Sequence, residues 1–421
     1  MSPEADLRTA ALGFFDAGVT RADPEVATRA ALEDRSAKLE AARRVVLLAL
    51  GKAGIAMARA ALPYVEHKLA RGVVVTTEDV ATELAGLEVI CGGHPVPDEG
   101  SLDGGRRLVE AAHTAQDGDL VLVLVSGGGS ALAVAPPDGV SLEDKMALSD
   151  LLLKSGADIT QMNTVRGNVS TLKSGGLARA AAPAEVLALL LSDVPGDDPA
   201  VIASGPTATE TPGRAAAIAT LAQFDLSDDI PRSVRAHLDR AEDRTPAMAE
   251  NVVIGSNDLS VAAVERAIER TGRRVIRLPG WLGGDVGDAA QTLFDRMHEA
   301  AGDAPLAIVA GGETTVRVSG GGSGGRNQEM ALRLALLAET RPIPGPWCFL
   351  SGGTDGRDGP TRAAGGLVDA GTLSRMRDAG IDPEARLSDN DANPALAASG
   401  DLIETGQTGT NVADIQIALL G

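Results

Sequence analysis

Short apolar runs of four to eight residues recur along the chain, each followed by a glycine-containing turn and an alanine- and leucine-rich stretch. RVVLLAL (44–50) leads into GKAGIAMARAALPYV; GVVVTT (72–77) and LEVICG (87–92) precede the helix-like SLDGGRRLVEAAHTA. LVLVLVS (120–126) runs into SGGGS, and EVLALLLSD (185–193) ends in an acidic loop. Runs that are continuously apolar rather than alternating predict strands buried on both faces, as in parallel sheets. Their alternation with helical stretches predicts an α/β class with helices on both faces of a sheet.

The pattern breaks at about residues 206–250, where PTATETPGRAAAIATLAQFDLSDDIPRSVRAHLDRAEDRTPAMAE is polar, broken by proline and without a strong strand. This segment is the expected connection between two domains. A second α/β series follows: NVVIG (251–255), RRVIRLP (273–279), LAIVAGG (306–312), TTVRVS (314–319) and WCFLSGG (347–353). No internal repeat is visible. At 421 residues the chain is long enough for two or three domains.

Composition narrows the function. Aromatic residues make up only 2% of a chain that is 44% hydrophobic, so the core is aliphatic. The formal net charge of −20 argues against nucleic acid and anionic membrane as partners, and a small anionic substrate must be drawn in by local cations. Two cysteines, Cys91 and Cys348, are too few for a zinc site or a disulfide framework and suit a reduced, cytoplasmic setting. No signal peptide and no run of 18 apolar residues is evident, so no membrane span is expected.

The fifty glycines cluster where strands are expected to end, which is where α/β sheets bind ligands. Ser126, Gly127, Gly128, Gly129 and Ser130 follow the most apolar strand; their backbone N–H groups suit an anion such as phosphate. In GKAG (51–54), Lys52 stands at a helix start, a poor place for a cation unless an anion lies between them. The densest glycine run, GGGSGGRNQE (320–329), contains G-x-G-x-x-G at Gly320, Gly322 and Gly325, yet lacks the acid expected about 20 residues further on. It also contains G-x-S-x-G around Ser323, but no histidine follows to complete a hydrolase triad. What remains is an anion loop ending in Arg326, whose guanidinium matches carboxylate or phosphate. GNVSTLKS (167–174) fails the Walker pattern at Leu172, while Asn168 and Lys173 stay candidate phosphate contacts. Asp193, Glu313, Asp355 and Asp358 fall just after apolar runs, where carboxylates suit Mg²⁺ or a general base.

Taken together, these segments resemble the class II glycerate 2-kinases, a family whose C-terminal region carries the MOFRL motif. The matching stretches are GKAGIAMA (51–58), GGHPVPDEGS (92–101), SGGGSAL (126–132), MNTVRGNVSTLKSGGLA (162–178), LLLSDVPGDDPAVIASGPT (190–207), GGETTV (311–316), GGRNQEMAL (324–332), GGTDGRDGPT (352–361) and TGQTGTNVADI (405–415). MALRLA (330–335) is similar to the letters that name the region. Two departures stand out: Gln407 where the family's pattern has proline, and Arg362 where an acid is common.

The resemblance implies two α/β domains, the first Rossmann-like with a largely parallel sheet (1–245) and the second smaller (246–421), with the site in the cleft between them. It implies transfer of the γ-phosphoryl of ATP, with Mg²⁺, to D-glycerate, giving 2-phosphoglycerate. Lys52, Arg326 and Asp355 are implied as catalytic; the loop at 126–130, with Asn168 and Lys173, as nucleotide-binding; Asp193 or Glu313 as metal-holding. Whether Lys52 or Arg326 meets the transferring phosphoryl or the substrate carboxylate stays open. The oligomeric state is open too, with a homodimer as the working expectation. The rival activity is NAD(P)H-dependent reduction of hydroxypyruvate.

Overall fold

The computed structural model describes residues 3–240, 245–303 and 305–421. The first series of apolar runs forms five strands, β1 (Val45–Leu50), β2 (Leu69–Thr76), β3 (Glu88–Cys91), β4 (Leu120–Val125) and β5 (Glu185–Leu191), and NVVIG, expected to open the second series, joins their sheet as β6 (Glu250–Gly255). They lie in the order β3-β2-β1-β4-β5-β6, and the pairs β3–β2, β2–β1, β1–β4 and β4–β5 are all parallel. Every residue of β1 and β4 is buried because both faces are covered. Val45, Leu47 and Ala49 pack on one face with the helix Gly54–Val65; Val46, Leu48 and Leu50 pack on the other with the helix Glu99–Ala112. Each buried aliphatic side chain of this kind contributes about 1.5–3 kcal/mol. The strand order reverses between β1 and β4, which makes the carboxyl ends of these two strands the switch point of the sheet.

The second sheet contains β7 (Arg274–Arg277), β8 (Leu306–Gly312), β9 (Trp347–Gly353), β10 (Gly365–Asp369), β11 (Leu402–Ile403) and β12 (Asp414–Leu420), in the order β11-β10-β9-β12-β8-β7. β12 is antiparallel to both β8 and β9, and its first residue, Asp414, is opposite Gly312 on one side and Gly353 on the other. The last strand in sequence thus delivers a carboxylate to the carboxyl ends of two others.

The chain divides into a parallel-sheet unit, Pro24–Ile254, and a mixed-sheet unit made of Met1–Asp23 and Gly255–Gly421. This differs from the expected 245/246 boundary in two ways. β6 completes the first sheet, which moves the division towards the C-terminus. The helix Pro3–Arg21 belongs with the second sheet, because Leu7, Ala11, Phe14 and Phe15 bury against Val261, Val264, Ile415 and Ile417.

Three element expectations are corrected. The polar segment at 206–250 is not a linker: the helices Arg214–Gln223 and Arg232–Arg240 bury Ala217, Leu221, Val234 and Leu238 against Leu148, Leu152 and Val165. Residues 241–244 of that segment lie outside the described residues. TTVRVS (314–319) is not a strand; Thr315 makes an isolated bridge to Asp285. The strands β10, β11 and β12 had no counterpart among the apolar runs; β12 begins inside a motif read for its glycines and threonines rather than for DIQIALL.

Candidate active site

In the parallel-sheet unit, the loops after β1 and β4 interlock at the switch point. Lys52 N–H donates to Gly127 O at 3.0 Å, and Ala53 N–H donates to Ser126 Oγ at 3.0 Å. Gly128 adopts φ 81°, a left-handed conformation that glycine reaches without cost. A Cβ there would stand 3.2 Å from Lys52 Cγ and 3.2 Å from His94 Cδ2, so the lysine stem lies directly over the loop. At Gly127 a Cβ would come within 2.4 Å of Asp193 Oδ2. Lys52, His94, Asp193 and the glycine loop are therefore one constellation, and of these His94 had no role from sequence. Among the described residues, the Lys52 ammonium and the N–H groups of Gly127 and Gly128 make no hydrogen bond or ion pair.

The electrostatics fit an anion. Burial pushes the Asp193 carboxyl above its ordinary value, opposed by the Lys52 charge. Burial and the same lysine hold the His94 imidazole below its ordinary value, which favours the neutral ring.

The two remaining phosphate candidates are both buried. Lys173 donates from Nζ to Ser130 O at 2.7 Å and to Ser130 Oγ at 2.8 Å, which ties down the end of the glycine loop. Burial, together with the charges of Arg166 and Lys145, pushes its ammonium well below the usual lysine range. Asn168 has a structural setting instead: its amide donates to Thr164 O at 2.8 Å and to Pro212 O at 3.0 Å.

In the mixed-sheet unit, Arg326 opens the helix Arg326–Thr340 and is held by two carboxylates. Its Nε and Nη2 donate to Asp414 Oδ2 and Oδ1 at 2.6 and 2.9 Å, a bidentate pair, and Nη1 lies 2.8 Å from Glu313 Oε1. These partners hold the guanidinium more firmly protonated than an isolated arginine, against the cost of its burial. Glu313, expected as a metal holder, is thus an arginine partner. Asp414 is 1% exposed and carried no sequence role; the signal for it was present in TGTNVADI, where an acid interrupts the start of an apolar run.

The anion-loop reading of residues 320–325 is corrected by the same unit. Ser319 and Gly320 N–H donate to Asn390 Oδ1, Gly321 N–H to Asp389 Oδ1, Gly322 N–H to Asp389 O, and Ser323 N–H to Asp391 Oδ1. The N–H groups of residues 319–323 already have acceptors, two of them carboxylates, supplied by the chain itself. Glycine recurs there because a Cβ at Gly320 would lie 2.3 Å from Asp389 O, and one at Gly322 2.4 Å from Asp391 Cβ.

The two aspartates after β9 divide. Asp355 is half-buried and its Oδ1 accepts from Arg357 N–H at 3.0 Å. Asp358 is buried and accepts from Gln328 N–H at 2.8 Å and Asn327 N–H at 3.2 Å, at the start of the arginine helix. Burial pushes the Asp358 carboxyl up to about 6, against these hydrogen bonds.

A largely parallel sheet in the order 3-2-1-4-5-6, with a glycine loop at its switch point, places the chain in the α/β class whose ligand sites lie at strand carboxyl ends. Comparison narrows the class to a family. The model described as Domain of unknown function (DUF4147) matches residues 10–239, and that of the MOFRL family matches residues 306–414. The glycerate 2-kinase of Pyrococcus horikoshii is 37% identical, covering 99% of this chain and 98% of that protein. The D-glycerate 2-kinase of Thermotoga maritima is 39% identical over 90% of this chain and 91% of that protein. A protein of Agrobacterium vitis, provisionally named a hydroxypyruvate reductase, is 40% identical over 97% of this chain and 93% of its own. The crystal structure of a glycerate kinase from Thermotoga maritima superposes with a TM-score of 0.92 at 36% identity, covering 99% of this chain and all of that one (100%). The chain belongs to the class II glycerate 2-kinase (MOFRL) family.

Proposed function

We propose that the protein transfers the γ-phosphoryl group of ATP to the 2-hydroxyl of D-glycerate, giving 2-phosphoglycerate and ADP. The observation that carries this reading is the switch-point loop, where free N–H groups of Gly127 and Gly128 lie beneath the unpaired Lys52 ammonium. Phosphoryl transfer asks the protein mainly to position its reactants and neutralise charge, and a flexible lysine over oriented N–H donors supplies both. Relatives named as glycerate 2-kinases along nearly the whole chain support the same reading.

The roles follow from the surroundings of each residue. Lys52 stabilises the charge on the transferring phosphoryl group, with the loop N–H groups holding its oxygens. Arg326 is aimed by Asp414 and Glu313 and binds the glycerate carboxylate through donors those partners leave free. Asp355 orients the attacking hydroxyl. Asp193 fits Mg²⁺: its half-buried carboxylate lies against Gly127, where burial disfavours its charge and a cation would offset that. Magnesium takes most of its ligands from water and phosphate, so one protein carboxylate would suffice to hold it, and it would supply charge neutralisation to the phosphates. Both cysteines are free, Cys91 exposed and Cys348 buried, in keeping with a reducing cytoplasm. Among the described residues no helix is long and apolar enough to cross a membrane. A homodimer is the assembly we carry forward.

The reductase alternative finds no dinucleotide fingerprint to support it among the described residues. In the G-x-G-x-x-G of residues 320–325 the N–H groups of Gly320 to Ser323 are taken by Asp389, Asn390 and Asp391, and the loop after β1 carries Lys52 within Gly51–Gly54 instead. The test is coupled ADP release with ATP, Mg²⁺ and a panel of glycerate and related hydroxy acids, followed by NMR of the product. A phosphate on the 2-hydroxyl is the expected result. Steady NADH or NADPH oxidation with hydroxypyruvate, and no ADP release with glycerate, would overturn it.

A further inference from the structure

The turn that leaves β3 is fixed before it reaches the glycine loop. Gly92 N–H donates to Thr76 O at 2.9 Å, which extends the pairing of β3 with β2 by one residue. Gly93 N–H donates to Asp98 Oδ1 and to Ser101 Oγ, both at 2.9 Å. Those two residues also form the capping box of the helix Glu99–Ala112: Ser101 N–H donates to Asp98 Oδ1 at 2.8 Å, and Asp98 N–H to Ser101 Oγ at 3.2 Å. The turn tolerates no added bulk. A Cβ at Gly92 would lie 2.4 Å from Leu132 O, and one at Gly93 2.4 Å from Val96 O. It is thus wedged between the start of one helix and the end of the short helix Gly129–Leu132 that follows the glycine loop.

The side chain this frame delivers to the switch point is His94. Its Cδ2 and Lys52 Cγ both stand 3.2 Å from the place a Cβ of Gly128 would take, so ring edge and lysine stem converge on one residue of the loop. The imidazole is exposed and makes no hydrogen bond or ion pair among the described residues. Packing does not account for it, since the capping box and both glycine contacts use backbone and other side chains. A turn held this closely around a ring that bonds to nothing in the chain reserves that ring for a ligand.

The chemistry of phosphoryl transfer supplies a use for it. The group in transfer spreads its charge over three equatorial oxygens. The switch point offers three kinds of donor: the free N–H groups of Gly127 and Gly128, the Lys52 ammonium and the His94 ring. Lysine and imidazole differ in kind. Partial desolvation, and then the Lys52 charge, favour the neutral ring. A neutral imidazole still donates from one nitrogen, so it adds a donor without setting a second cation beside the first.

We propose that His94 is a further catalytic residue, donating a hydrogen bond from its ring N–H to an oxygen of the transferring phosphoryl group beside Lys52. The assignment rests on the phosphoryl-transfer reading above. The bond from the γ-phosphorus to the ADP oxygen breaks, the bond to the 2-oxygen of glycerate forms, and the hydroxyl proton leaves to solvent. The imidazole gains and loses no proton in this step. The role is distinct from nucleotide binding, because the donor meets the one group that ADP lacks.

ADP release and calorimetry on the intact protein test the assignment. His94 is exposed, so replacing its ring leaves the fold standing, with the unfolding midpoint as the check. His94→Ala is expected to lower turnover by about 10- to 100-fold, the effect of losing one hydrogen bond to a charged group. ADP affinity is expected to stay within about twofold of wild type, because ADP does not carry the group His94 meets. Aluminium fluoride added to ADP stands in for that group, and the affinity it adds is expected to fall in His94→Ala by about the same factor as turnover. His94→Asn and His94→Gln place an amide N–H near Nδ1 or Nε2, and one of them is expected to recover most of the lost turnover. Unchanged turnover in His94→Ala, an equal loss of ADP affinity, or no recovery by either amide overturns the assignment. Wild-type protein that releases no ADP from ATP with glycerate overturns the kinase reading instead. The aluminium fluoride comparison then decides His94 by itself: the phosphoryl contact stands if the fluoride-dependent gain is lost in His94→Ala and falls if the gain is unchanged.

Discussion

The protein contains two glycine-rich loops that look alike in sequence and differ in what their backbones face. Residues 126–130 lie at the switch point of a parallel sheet, with the N–H groups of Gly127 and Gly128 free and an unpaired lysine above them. Residues 320–325 precede Arg326, yet the N–H groups of Gly320, Gly321, Gly322 and Ser323 are filled by Asp389, Asn390 and Asp391. The first loop is open to a ligand; the second is an internal splint that fixes the approach to the arginine helix. Glycine density reports close backbone approach in both cases, and only the identity of the approaching group separates a binding loop from a structural one.

The same contrast holds for the two cations. Lys52 is exposed and its ammonium makes no hydrogen bond or ion pair among the described residues, whereas Arg326 is locked to a carboxylate that is 1% exposed. The largest expected effect is therefore at Arg326. Arg326→Leu leaves Asp414 without its partner and should cost about 3 kcal/mol of unfolding free energy as well as most of the turnover, read by denaturant titration and ADP release. Pairing it with Asp414→Leu should restore much of the stability and none of the activity. Restored activity in the double variant would show that the arginine serves only the fold. Lys52→Ala gives the reverse profile: turnover falls about 10²–10³-fold with the unfolding midpoint unchanged. More than about a tenth of wild-type turnover in that variant would remove Lys52 from the chemistry.

Asp358 offers a pH test of the splinted half. Its carboxyl titrates at about 6 in the folded protein, above the ordinary value of 3.8, so the folded state binds its proton more tightly than the unfolded state does. The stabilisation this provides is complete below pH 3.8 and is lost as pH rises through about 6. Relative to Asp358→Asn, wild-type stability should fall by up to about 3 kcal/mol between pH 4 and 7. A flat difference across that range would show that the helix-start hydrogen bonds outweigh burial. The smallest effect belongs to the splint. Asp391→Ala removes the acceptor for Ser323 N–H and the partner of Arg386, and should cost about 1–2 kcal/mol while raising the glycerate KM more than it lowers ADP affinity. An equal change in both would mean that the two loops do not have separate duties.

The alternation of apolar runs and glycine turns was enough to establish the α/β class, because a strand buried on both faces must read as a continuous aliphatic run, as in β1 and β4. The family was legible from short motifs, and it is the resemblance that singled out Lys52, Arg326 and the 126–130 loop as candidates. The sequence alone could not show that the helix Pro3–Arg21 belongs with a sheet more than 250 residues later, or that β12 lies between β8 and β9. Those placements depend on which apolar faces find each other, and the chain carries no local mark of its distant partner. The pairing of Asp414 with Arg326, the filling of the second glycine loop by Asp389–Asp391 and the gathering of Arg166 and Lys173 under Ser130 were decided by tertiary structure alone. Each joins charged or polar groups from separate segments, and only folding sets the distances on which their electrostatics depend.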